Sequence, residues 1–176
     1  MSPETEATRS TEEVARSYFD RVTARDPDGM MEHWEPGGKG TIYGLTELTA
    51  PDSYRAWFTS MFAAFPDLDF EVIDVVTEGD TASVRWRASG TFSGDVPFEG
   101  VMPTGSQVEM HGCDVLTIRN GKLVRLHAYT SGTEMARQMG LLPPQGSPAE
   151  RAMYGLFNLK TRAVQAIRDR RSSQPG

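Results

Sequence analysis

The chain of 176 residues is long enough for one domain with its own hydrophobic core and too short for two comfortable ones. Its 24 acidic against 18 basic residues give a net charge of -6 and a pI near 5.1, which argues against nucleic acid or an anionic membrane as a general partner. A single cysteine, Cys113, excludes an internal disulfide; no apolar run approaches the ~18 residues of a membrane span, and "MSPETEATRS" lacks the apolar core of an export signal. A cytoplasmic protein without membrane insertion is the expectation.

After a tail over residues 1–10, Ser10 and Glu13 make a capping-box pattern, and Val14, Tyr18, Phe19 and Val22 follow at helical spacing. Asp26-Pro27 supplies the cap and first residue of a short second helix with Met30, Met31 and Trp34 on its apolar side, which "PGGKG" is expected to break. "GTIYGL" reads as a short strand. Tyr54, Trp57, Phe58, Met61, Phe62 and Phe65 then recur at three and four, predicting a third helix with a broad aromatic face that ends near Pro66.

From Leu68 the period drops to two: a strand through Val76, a turn at Gly79-Asp80, and a strand alternating Val84, Trp86, Ala88 and Gly90 against Arg85, Arg87 and Ser89. Asn120-Gly121 marks a type I′ hairpin, because both positions tolerate positive φ. The regular register pairs Arg119 with Lys122, Ile118 with Leu123, Leu116 with Arg125, Asp114 with His127 and Gly112 with Tyr129. "GTEMARQMGLLPP" is a short helix, and "SPAERAMYGLFNLKTRAVQAIRDRR" a further one with an apolar stripe of Met153, Leu156, Phe157, Ala163, Val164 and Ile167 beside basic residues that include Arg170 and Arg171. The organisation is therefore an N-terminal tail (1–10), an α+β domain (11–143) and a C-terminal helical extension (144–176).

Asp114 shares strand parity with Met110, Leu116 and Ile118, so it points inward, where an ionised carboxylate must be paired or neutralised. On the regular register His127 is its partner, forming an acid–base dyad, and the Tyr129 phenol on the same face polarises a substrate carbonyl. A pair that only satisfies itself and holds the strands together is the structural alternative. His111 has the opposite parity, and His33 sits on the short helix beside Trp34. The three histidines come from separate elements without HxH or HxxxH spacing, so no metal site is expected. "GVMPTG" and "PGGKG" lack the strand-to-helix context that cradles phosphate, so no cofactor is expected either.

The segments "GDTASVRWRASGTFSG", "GVMPTGSQVEMHGCDVLTIRNGKLVRLH" and "EMARQMGLLP" resemble the SnoaL-like branch of the nuclear transport factor 2-like superfamily, over about Glu13 to Pro143. The resemblance implies a cone of curved antiparallel sheet and helices around an apolar pocket, often dimeric, with cofactor-free cyclisation or related acid–base chemistry on polyketide-like substrates. Members commonly carry an acid where this chain has Ser131, a Trp where it has His127 and a His where it has Phe92. With the catalytic set Asp114, His127 and Tyr129, the expected pocket comprises Tyr18, Trp34, Tyr43, Trp57, Phe58, Trp86, Phe92 and Met110. The function so implied is a cyclase or isomerase acting on an apolar polyketide-like or polycyclic carbonyl compound. A non-catalytic small-molecule binding or dimerisation module and an epoxide hydrolase are the alternatives. The C-terminal helix is expected to cover apolar surface by folding back over the domain or lying across a homodimer.

Overall fold

The computed structural model describes residues 9–172, with side chains as far as Arg168. Residues 1–8 of the expected tail and the side chains of Arg170 and Arg171 lie outside the described residues. In chain order the elements are α1 (Thr11–Thr23), α2 (Pro27–Met31), β1 (Trp34–Ile42), β2 (Thr46–Thr49), α3 (Asp52–Ala64), β3 (Asp69–Glu78), β4 (Thr81–Thr91), β5 (Gln107–Arg119), β6 (Lys122–Thr130), α4 (Gly132–Gln138) and α5 (Pro148–Ser172).

The capping box forms as expected: Ser10 Oγ accepts the Glu13 N–H at 3.2 Å, and the Glu13 carboxylate accepts the Ser10 N–H at 2.7 Å. It starts α1 with Val14, Ala15, Tyr18, Phe19 and Val22 buried along one side. Asp26 caps α2 and Pro27 fills its first position. No glycine ends α2, however; "PGGKG" lies inside β1. Gly37, at φ 85°, takes up an irregularity between Trp34 and Lys39 that lets the strand run through a glycine-rich stretch.

The six strands form one curved sheet in the order β2-β1-β6-β5-β4-β3. All neighbours are antiparallel except β1 and β6, which run parallel, so the expectation of a wholly antiparallel sheet is corrected at that seam. Helices α1 and α3 cover the concave face, α1 across β3 and β4 and α3 beside β2. Two apolar clusters result. The larger joins α1 and α3 to the sheet through Tyr18, Tyr54, Leu116 and Leu123, and the smaller joins the end of α3, the β4–β5 connection and α4 through Phe65, Phe92, Phe98 and Met139.

The extension does not fold back. Leu156 and Phe157 of α5 are 70% and 64% exposed, so its apolar stripe is uncovered within this chain. Among the described residues no helix is long and apolar enough to cross a membrane.

Candidate functional site

The site is built on the β5–β6 hairpin. Asn120 and Gly121 take φ values of 50° and 72°, as a type I′ turn requires, and the first pairs, Arg119 with Lys122 and Ile118 with Leu123, are those expected. Strand β6 then carries one extra residue, because Thr117 pairs with Arg125. One inserted residue reverses the facing of everything beyond it. Asp114 therefore faces Ala128, while His127 faces Val115 and Tyr129 faces Cys113.

The Asp114–His127 dyad and the inward Tyr129 are thus both corrected. Leu126, Ala128 and Thr130 look into the fold, and His127 and Tyr129 look out of it. Outside, the Tyr43 ring stacks on His127 and on Tyr129 at centroid distances of 5.8 and 4.7 Å, with the Tyr43 hydroxyl 3.2 Å from His127 Nδ1.

Asp114 is buried, as its apolar neighbours in the strand predicted. Its partner is Trp86, whose Nε1–H donates to Oδ1 at 2.8 Å. Trp86 pairs across the strands with Gly112, and a Cβ at Gly112 would come within 2.2 Å of the indole. Glycine at that position is what lets the ring lie flat on β5 and reach the carboxylate two residues on. Burial pushes the Asp114 pKa up to about 7, partly opposed by the indole hydrogen bond. Burial, together with the Asp114 charge, also holds the Tyr18 and Tyr54 phenols well above their ordinary range.

A cavity of about 130 Å³ lies between the sheet, α1 and α3. Asp114 is the only charged group among the described residues that line it. Of the expected pocket residues, Tyr18, Trp57, Phe58, Trp86 and Met110 line it. Trp34, Tyr43 and Phe92 do not. Trp34 is buried behind Tyr54, with ring centroids 4.4 Å apart; Phe92 is buried against Phe65; Tyr43 is outside with Tyr129. The sequence reading missed Tyr54 and Phe98 as lining residues. Tyr54 was marked on the aromatic face of α3, whereas Phe98 sits in a loop with no periodicity to show its direction.

That loop is tied across the cavity. Trp57 Nε1 donates to Glu99 Oε1 at 2.7 Å, the Trp57 and Phe98 rings meet edge-on at 5.3 Å, and Glu99 holds φ at 47°. His33 is structural rather than a mouth residue: its Nδ1–H donates to the Gly29 carbonyl at 2.9 Å, Nε2 accepts from Ser17 Oγ at 2.8 Å, and burial lowers its pKa. His111 is exposed beside Glu109, and Ser131 accepts the Glu134 N–H as the cap of α4.

Residues 15–126 match the family model described as the SnoaL-like domain. No curated protein matches the chain. Among solved structures, AclR from Streptomyces galilaeus, assigned as a hydroxylase, is 24% identical with a TM-score of 0.65, over 76% of this chain and 97% of its own. A protein from Jannaschia sp. CCS1, assigned as a SnoaL-like polyketide cyclase, is 22% identical with a TM-score of 0.68, over 81% of this chain and 100% of its own. IdmH from Streptomyces antibioticus, assigned as a polyketide cyclase, is 24% identical with a TM-score of 0.60, over 75% and 99%. At these identities the likeness establishes the fold.

Proposed function

This chain belongs to the SnoaL-like family, and from that premise we propose that it is a cofactor-independent acid–base enzyme, a cyclase or isomerase, acting on an apolar carbonyl compound. The observation that carries the reading is Asp114: a lone carboxylate at the wall of an otherwise uncharged cavity, with a pKa near 7. Such a group holds and releases a proton with similar ease at neutral pH, which is what general acid–base catalysis needs.

In this reading ionised Asp114 takes a proton from the carbon beside a substrate carbonyl, and the electron pair moves onto the carbonyl oxygen as an enolate. Where a C=C bond extends the enolate, it is reprotonated at its far carbon, giving an isomer; otherwise the enolate carbon attacks a second carbonyl, giving a ring and an alkoxide. Protonated Asp114 returns the proton in either case, so no external acid, base or oxidant is consumed. A cavity of about 130 Å³ accommodates little more than one aromatic ring, since an apolar cavity of ~150 Å³ binds benzene. The reacting ring or chain end therefore enters and the rest of the molecule lies outward along Trp57 and Phe98. His127 and Tyr129, on the other side of the sheet, take no part.

The test is deuterium incorporation, followed by NMR, at the acidic carbon of a panel of aryl and bicyclic β-diketones in D₂O. The wild type accelerates exchange of at least one member, Asp114→Asn reduces that acceleration by about 100- to 10,000-fold, and His127→Ala leaves it unchanged. Compounds that quench tryptophan fluorescence on binding yet exchange no faster with wild type than with Asp114→Asn would make the protein a small-molecule binding module instead.

A further inference from the structure

Nine aromatic side chains line the cavity among the described residues, drawn from both helices, the sheet and the β4–β5 connection. They pack on one another. Phe70 leans on Trp86 with 5.2 Å between ring centroids, and Phe58 lies parallel to Tyr54 at 6.3 Å and edge-on to Trp57 at 5.1 Å. An aromatic ring carries partial negative charge on its face, so a wall of rings attracts a cation as a wall of aliphatic side chains does not.

Asp114 adds a full charge of the same sign. Its side chain is buried, and the Trp86 indole bond occupies Oδ1 alone. Among the described residues Oδ2 has no donor, and no Lys, Arg or His lines the cavity beside it. A buried carboxylate is ordinarily paired with a cation, because ionisation away from water is otherwise unfavourable. Here the chain contributes the anion and the rings, and no cation of its own.

The kind of cation that suits the site follows from the remaining walls. A hard metal ion takes several oxygen ligands, and the described residues contain no group of three or more His, Cys, Asp or Glu that could hold one. A primary ammonium brings three N–H donors, more than one free carboxylate oxygen and a lining of rings satisfy. An alkylated ammonium brings one N–H or none, and its charge is spread over alkyl groups that lie against aromatic faces. A cavity of about 130 Å³ holds such a head group, since ~150 Å³ holds benzene.

We propose that the cavity is also a binding site for a small tertiary or quaternary ammonium compound, with its alkyl groups on the aromatic walls and its charge beside Asp114 Oδ2. Binding needs only the ionised carboxylate and the rings, so it stands whether or not the protein turns over a carbonyl compound; where both ligands are present they compete for one space. The net charge of -6 favours the approach of a cation to the domain.

The probes are choline and its neutral carbon isostere 3,3-dimethylbutan-1-ol, each titrated into the full chain by calorimetry at pH 8, above the Asp114 pKa of about 7. The wild type binds choline at one site, at least about tenfold more tightly than the isostere. Asp114→Asn, whose fold is checked by circular dichroism, loses that preference and binds the isostere as the wild type does. An isostere held as tightly as choline by the wild type, or no choline binding at millimolar concentration, would overturn the proposal. A preference for choline that survives in Asp114→Asn would overturn it as well, and assign the cation to the acidic surface. None of these outcomes depends on deuterium exchange, which reports turnover alone.

Discussion

At Asp114 the same burial that suits the carboxylate to proton transfer works against folding. Its pKa in the native protein is about 7, against roughly 3.9 in an unfolded chain. Between those values the native state keeps a proton that the unfolded chain has lost, so native stability falls as pH rises through this window. The loss approaches roughly 4 kcal/mol once the pH passes the native pKa. Asp114→Asn, which cannot ionise, is therefore expected to equal the wild type in urea unfolding near pH 4 and to exceed it by a few kcal/mol at pH 8. Parallel stability profiles for the two proteins would show that the carboxylate is not desolvated. A site that costs stability is usual where function requires an unfavourable group. Asp114 was legible because Met110, Leu116 and Ile118 share its parity along one regular strand. His127 and Tyr129 were not, because the extra residue near Val124 and Arg125 leaves no mark in a pattern already apolar on both faces. Gly112 was legible only in retrospect, through the indole that lies on it.

Helices announce themselves here more clearly than irregular strands do. The capping box at Ser10, the Asp26-Pro27 start and the aromatic spacing of α3 each name a local hydrogen bond or a buried face, and each element is present. Only the end of β1, Gly40 to Ile42, was legible, within the strand expected at "GTIYGL"; its first half was hidden because Pro36, Gly37 and Gly38 are poor strand formers, tolerated where a bulge interrupts the ladder. What its glycines do instead is make room: a Cβ at Gly40 would overlap the Tyr54 hydroxyl, so α3 can press its tyrosine onto the strand. The β4–β5 connection is the least regular wall of the cavity; one side-chain bond, from Trp57 to Glu99, ties it to α3, and another, from Thr104 Oγ1 to the Met139 carbonyl, ties it to the end of α4. Trp57→Phe keeps an aromatic ring against Phe98 and removes that donor. Hydrogen exchange of amides from Ser93 to Gly105 is expected to quicken, and apolar ligands to enter and leave faster, with global stability lowered by only about 1 kcal/mol. Unchanged exchange in that segment would show that the Trp57–Glu99 bond does not hold the loop, leaving it to ring packing and to the bonds from Thr104 and Gly94.

The parallel seam between β1 and β6 joins the two ends of the domain, and no local pattern specifies it, since pairing of strands so distant in sequence is decided by the closing of the whole sheet. The cone was expected from family resemblance, whereas periodicity alone reached an α+β order of elements. Outside the cone, α5 is the largest helix, with 25 residues against 13 in each of α1 and α3, yet it contributes no side chain to either apolar cluster. Its stability as a separate element is marginal: helices without tertiary packing gain little in water, and Gly155 in its interior costs about 1 kcal/mol more than alanine. In a monomer, then, heating is expected to remove the far-UV ellipticity of α5 before the core unfolds. Near-UV signals from Trp57 and Trp86, which line the cavity, should persist through that first loss. If α5 instead docks on a second copy, its melting is linked to association and moves to higher temperature as protein concentration rises, until the two transitions merge. A first transition whose midpoint is independent of concentration would place α5 outside any assembly, and a single cooperative transition at every concentration would mean that it packs on its own domain.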